Sequence, residues 1–191
     1  MIEVTATPRN ADHVRRLLAF ARDVLAICDT LGIEPILDSS LAVFAYTQDP
    51  SLEVHDIDLG CPEADFPRLR ASLETHGIEC RLKPWHVLQA HRDGLKIDVG
   101  ATEYWNQDLP EGTGRVRFGD VTFRAVSLDA LRELYRRGLA DTAGKPDPAS
   151  VAKHSSYTEK LRLLDVDRHV HETEVADREG TAFARCLRHR P

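Results

Sequence analysis

The stretch VHDIDLG, residues 54–60, sets two carboxylates, Asp56 and Asp58, one residue apart in an otherwise apolar run. An extended chain repeats every two residues, so both carboxylates leave the same face, while Val54, Ile57 and Leu59 supply apolar contacts mainly on the other. Adjacent negative groups repel, so the pair must either face solvent or share a cation, for which a hard divalent ion is the natural candidate. Taken alone, an Asp-x-Asp pair reads first as a surface feature. A third carboxylate changes that reading. In GLKIDVG, residues 94–100, Lys96 and Asp98 share one face and Leu95, Ile97 and Val99 the other. The intervening chain is long enough to hold a helix and a hairpin, and so to bring this strand alongside the first. Three such side chains can bind one or two Mg²⁺ ions and leave coordination positions for water and a substrate phosphate, which describes a phosphoryl- or nucleotidyl-transfer site. Their oxygens are expected within about 4 to 6 Å of one another, at one edge of a mixed sheet. His55 alternates to the opposite face and reads as a packing or hydrogen-bonding residue.

The elements that must position these groups follow from hydrophobic period. From Asp12 to Leu31, Val14, Leu17, Leu18, Ala21, Val24, Leu25 and Cys28 recur at three- and four-residue intervals, which predicts one amphipathic helix ended by Gly32. IEPILDSS predicts a short buried strand and turn, SLAVFAY a helix or apolar segment, and QDPSLE a turn before VHDIDLG. Phe66, Leu69 and Leu73 form a short helical face. IECRLK, HVLQA and GLKIDVG are three extended segments, and RVRFGDVTFRAV is a tight hairpin around Gly119 and Asp120. Ser127 can cap the helix LDALRELYRRG, whose Leu128, Leu131 and Leu134 share a face. DTAGKPDPAS is a Pro/Gly break before a further helix from Ala149 to about Leu164. Residues 1–145 are expected to form a core domain and 146–191 a C-terminal helical segment with a charged tail that frays.

Whole-chain quantities bound the function. At 191 residues with 42% hydrophobic residues, the chain can bury one sizeable core. A formal charge of −6 and 6% aromatic residues offer no platform for nucleic acid, while a phosphate-bearing small molecule remains compatible. No apolar run is long enough to span a membrane and the first residues lack a secretory pattern, so a cytoplasmic protein without membrane partners is expected. Cys28, Cys61, Cys80 and Cys186 lack metal or redox spacing and are expected to be reduced thiols.

PILDSSLAVFAY, VHDIDLG and GLKIDVG, in that order over residues 32–100, resemble the DNA polymerase beta-like nucleotidyltransferase superfamily, in particular its compact branches that modify aminoglycosides and lincosamides. The resemblance implies an α/β (α+β) fold with a mixed β-sheet flanked by helices and a C-terminal helical segment. It assigns binding of two Mg²⁺ ions to Asp56, Asp58 and Asp98, with Asp98 also helping to activate the acceptor hydroxyl. By the same resemblance Ser39 and Ser40 grip the nucleotide phosphates, a role for which hydroxyls and exposed amides at a helix N-terminus are suited. The implied reaction transfers an NMP group from an NTP, with ATP expected, to a hydroxyl of a small acceptor. No motif encodes the base, the acceptor or the oligomeric state.

Lys96, which shares the face of Asp98, and Lys153 or Lys160 of the last helix, seven residues apart and near one face, are the basic groups that could meet phosphate; Lys153 is preferred. One departure stands out: Ser39 occupies the position where the family pattern has glycine, and Asp38 adds a negative charge beside the expected triphosphate. The alternative function is therefore a catalytically degenerate nucleotide-binding or structural protein, including a toxin-antitoxin component. Trp85 reads first as a core residue and otherwise, with His86, as part of an acceptor wall. HVHETE, residues 169–174, carries metal-capable side chains without the HExxH spacing and is not expected to form a specific site.

Overall fold

In the computed structural model, residues 1–107, 109 and 112–165 are described. In chain order the elements are β1 (Ile2–Val4), α1 (Ala11–Thr30), β2 (Ile36–Asp38), α2 (Ser39–Thr47), β3 (Ile57–Cys61), α3 (Phe66–Thr75), β4 (Glu79–Lys83), β5 (Val87–Arg92), β6 (Leu95–Ala101), α4 (Thr102–Trp105), β7 (Thr113–Phe118), β8 (Val121–Val126) and α5 (Leu128–Thr142). A last helix, α6, covers residues 148–165. The strands form one mixed eight-stranded sheet in the order β1-β7-β8-β2-β3-β6-β5-β4. In it β3 and β6 run parallel, β2 is antiparallel to β3, and β8 is parallel to β2.

The alternation read from the sequence decides which sheet face is covered. Along β6, Leu95, Ile97, Val99 and Ala101 are buried, while Lys96, Asp98 and Gly100 between them are half-buried. Helix α1 packs on β6 and β8, and α3 on β4 and β5. The buried stripe of α1, Val14, Leu17, Phe20, Ala21, Val24, Ile27 and Cys28, follows the helical period, and Gly32 beyond its end has φ +64°. The Ser127 hydroxyl accepts a hydrogen bond from the Ala130 amide at 3.1 Å, capping α5 as its sequence predicts. Leu163 and Leu164 of α6 are buried in the same core as the sheet residues.

Three features depart from the sequence reading. The strand expected over VHDIDLG begins only at Ile57, leaving Asp56 in a bend just before it. Strand β1, three residues long, is too short to show a period, and its parallel partner β7 lies more than a hundred residues on. The carboxylate strands β2, β3 and β6 lie in the middle of the sheet rather than at its edge. Cys28, Cys61 and Cys80 are free and buried, whereas Cys186 and the HVHETE segment lie outside the described residues. Among the described residues no helix is long and apolar enough to cross a membrane.

Candidate active site

Strand register lines up the acidic groups. Asp38 at the end of β2 pairs with Asp58 near the start of β3, Asp58 with Asp98 on β6, and Asp98 with Gln89 on β5. Asp56, just ahead of β3, completes a cluster in which Asp56, Asp58 and Asp98 each offer an oxygen within 4.8 Å of the others. Lys96 lies between two of them: its Nζ donates to Asp98 Oδ2 at 2.7 Å and is 2.7 Å from Asp56 Oδ2. The other oxygen of Asp98, Oδ1, is buried without a hydrogen-bond partner.

Electrostatics follow from this crowding. Burial, then the neighbouring carboxylates of Asp38, Asp56 and Asp98, push the Asp58 carboxyl well above the usual range, against the opposing pull of Lys96. Burial opposes the charge on Lys96, yet the hydrogen bonds and charges of Asp56 and Asp98 prevail and hold its ammonium above the ordinary lysine value. Asp38, only 7% exposed, is pushed up to about 6 by burial, with hydrogen bonds from Ser39 and Asn106 acting the other way. Oxygen-only donors, converging charges and an unpartnered buried carboxylate oxygen fit a hard divalent cation held by Asp56, Asp58 and Asp98.

The turn after β2 brings a second group of polar residues to the same end of the sheet. Ser39 has φ +56°, the left-handed conformation that glycine adopts without penalty, so the serine holds the backbone shape the resemblance assigns to glycine. The Ser40 hydroxyl accepts a hydrogen bond from Lys160 Nζ of α6 at 2.7 Å. Lys160 also lies 5.4 Å from the ring centroid of Tyr135, and burial lowers its pKa against the raising effect of Asp58 and Asp56. The preferred candidate, Lys153, is exposed, two turns earlier on α6. Of the two lysines, the structure brings only Lys160 to Ser40.

Beyond Asp98 the sheet face is covered by α4. A Cβ on Gly100 would lie 3.0 Å from Trp105 Cδ1, and one on Gly60 would lie 3.0 Å from Thr102 Cγ2, so both glycines admit side chains that fold back over the strands. Trp105 stays 45% exposed, donates from Nε1 to the Trp85 carbonyl, and stands edge-on to Tyr104, which packs on His86. Trp85 is not a core residue: it is 51% exposed, in the turn between β4 and β5. His55 is exposed, with its carbonyl accepting from His13 Nε2. The sequence reading missed Asp38 as a member of the carboxylate row and Trp105 on Gly100. The first was legible as an acidic residue ending a strand, whereas the second depends on a turn of chain that no local pattern marks.

No protein-family model and no curated protein sequence matches the chain, but solved structures do. The antibiotic-resistance factor ANT(2")-Ia, in complex with adenylyl-2"-tobramycin, superposes with a TM-score of 0.62 at 18% identity, covering 83% of this chain and 92% of that one. The lincosamide antibiotic adenylyltransferase LnuA, lincomycin-bound, gives a TM-score of 0.50 at 13% identity, over 76% and 94% of the two chains. A putative nucleotidyltransferase from Thermotoga maritima gives 0.53 at 18% identity, over 68% and 89%. The chain has the fold of the polymerase beta-like nucleotidyltransferase superfamily. The likeness extends to several distantly related members and does not single out the aminoglycoside or lincosamide branch.

Proposed function

We propose that the protein is a metal-dependent nucleotidyltransferase that transfers an NMP group from an NTP, with ATP expected, to a hydroxyl of a small acceptor. The observation that carries this reading is the placement of Asp56, Asp58 and Asp98 within 4.8 Å of one another, at the sheet end where Ser39 and Ser40 open α2. Asp56, Asp58 and Asp98 would hold Mg²⁺, with two ions in the full site. When bound, Mg²⁺ lowers the pKa of an attacking hydroxyl and neutralises charge on the phosphates.

The chain's own residues do the remaining work. Exposed amides at the start of α2, the Ser39 and Ser40 hydroxyls and the Lys160 ammonium bind the nucleotide phosphates on the β2 side of the cluster. An in-line displacement then brings the acceptor from the opposite side, over β6 and β5, where Gln89 stands across from Asp98 and Trp105 walls the sheet face. Asp98 is the carboxylate that takes the acceptor's proton in this reading. A degenerate nucleotide binder is the second reading. Asp38, a nearly buried carboxyl directly before the turn, supports it by adding negative charge beside the phosphates.

Mg²⁺-dependent pyrophosphate release, measured over a panel of hydroxylated acceptors, tests the proposal. The panel includes aminoglycosides and lincosamides, because ANT(2")-Ia and LnuA share the fold. Acceptor-dependent release supports transfer. Nucleotide binding without release under any acceptor favours the second reading, and absence of both binding and release overturns the two together.

A further inference from the structure

We propose that Lys96 is a built-in counter-ion of the carboxylate cluster, whose ammonium holds the cation position between Asp56 and Asp98 until a divalent ion displaces it. The inference rests on the reading of Asp56, Asp58 and Asp98 as the metal-holding residues. It starts from the strand itself, since a lysine two positions before Asp98 must share its sheet face. The parallel register, with Ile57 against Ile97, then carries Lys96 level with Asp56. The result is an ammonium 2.7 Å from Asp56 Oδ2 and 2.7 Å from Asp98 Oδ2, with its side chain 34% exposed.

That position has two consequences. A cation entering the cluster exchanges with a unit positive charge already in contact with two of its ligands, so it gains less than it would from free carboxylates. An ammonium on a flexible four-carbon stem can leave, and the phosphates of a nucleotide arriving beside Ser39 and Ser40 give it a new partner. The metal-free protein is thus protected from carboxylate repulsion, and metal loading is coupled to nucleotide loading through one side chain.

The experiment is a Mn²⁺ titration without nucleotide, read by the electron paramagnetic resonance signal of the free ion, on the wild-type protein and on Lys96→Met and Lys96→Arg. Lys96→Met should bind Mn²⁺ at least about tenfold more tightly than wild type, while Lys96→Arg keeps the weak wild-type affinity. A nonhydrolysable ATP analogue should tighten Mn²⁺ binding more in wild type than in Lys96→Met. Should Lys96→Met not fold in chelator, Lys96→Gln, which removes the charge but keeps a polar head, takes its place. Equal or weaker Mn²⁺ affinity in the neutral variant overturns the proposal and leaves the metal cluster standing. Failure of every protein to bind Mn²⁺, with or without nucleotide, overturns the cluster itself.

Discussion

Asp58 stands between Asp38 and Asp98 in the strand register, with Asp56 two residues before it, so no other position removes as much repulsion when neutralised. Replacing it with Asn keeps the shape and deletes one charge. Asp58→Asn should lower Mg²⁺-dependent transfer by roughly a thousandfold or more, while the metal-free protein melts at a higher temperature than wild type. Turnover assays paired with thermal melts in chelator measure both, and a variant that retains activity removes Asp58 from the proposed metal site. Asp38 gives a separate, pH-dependent signature. Its carboxyl is pushed up to about 6 in the fold, above the ordinary aspartate value. A carboxyl raised on folding contributes its stability fully below the unfolded pKa and loses it as pH rises through the folded one. Between pH 4 and 7, Asp38 should therefore weaken the metal-free protein by on the order of 2 kcal/mol as it ionises. Asp38→Asn should remove that loss and be more stable than wild type at pH 7.5, with a clearly smaller difference at pH 4.5. Denaturant unfolding in chelator at the two pH values checks the sign.

At the scale of elements, the last helix shows what periodicity can and cannot tell. Seven residues is close to two helical turns, so the sequence correctly sets Lys153 and Lys160 near one face. Which of the two turns reaches the turn after β2 depends on how α6 slides along α5, and that is fixed by contacts between residues distant in sequence. Arg132, 4% exposed, donates from Nη2 to the Leu164 carbonyl at 2.6 Å and lies beside Asp165 and Asp129. Tyr135 packs on Tyr157, Gly138 leaves room for the same ring, and the Thr142 hydroxyl meets His154 Nδ1 at 3.0 Å. These contacts run in opposite directions along the two helices and set one register, in which Lys160 meets Ser40. Lys160→Ala should raise the KM for NTP about tenfold, with Lys153→Ala unchanged within error. Arg132→Leu should lower the melting temperature and weaken nucleotide binding through Lys160. Its effect on affinity should therefore be smaller in a Lys160→Ala background, and full additivity in that double-mutant cycle refutes the positioning role.

For the molecule as a whole, legibility follows the range of the interactions involved. The alternation in GLKIDVG and the helical stripe from Val14 to Cys28 are local, and both read correctly from sequence. Asp56, Asp58 and Asp98 could be nominated because alternation fixes which face a strand residue takes. Strand β1 carries no period in three residues, and α4 folds onto glycines of two separate strands, so neither was visible locally. The sequence makes Lys96 a candidate phosphate ligand because it fixes the side chain's face and not its partners, which are Asp56 and Asp98. This arrangement makes global stability a reporter of loading. Under the proposed roles of Lys96, Ser40 and Lys160, Mg²⁺ alone would have to displace an ammonium, whereas Mg²⁺ with nucleotide would also bring phosphates to Ser40 and Lys160, so only the pair should bind tightly to the native state. A ligand at a hundred times its Kd adds about 2.7 kcal/mol, which for a chain of this size raises the melting temperature by roughly 5 to 10 °C. Mg²⁺ with a nonhydrolysable ATP analogue should produce a shift in that range, Mg²⁺ alone or the analogue in chelator a much smaller one, and Asp58→Asn none with any combination. Equal shifts from the analogue with and without Mg²⁺ would mean that nucleotide binding does not use the carboxylate cluster, and the two halves of the site would then have to be assigned to separate functions.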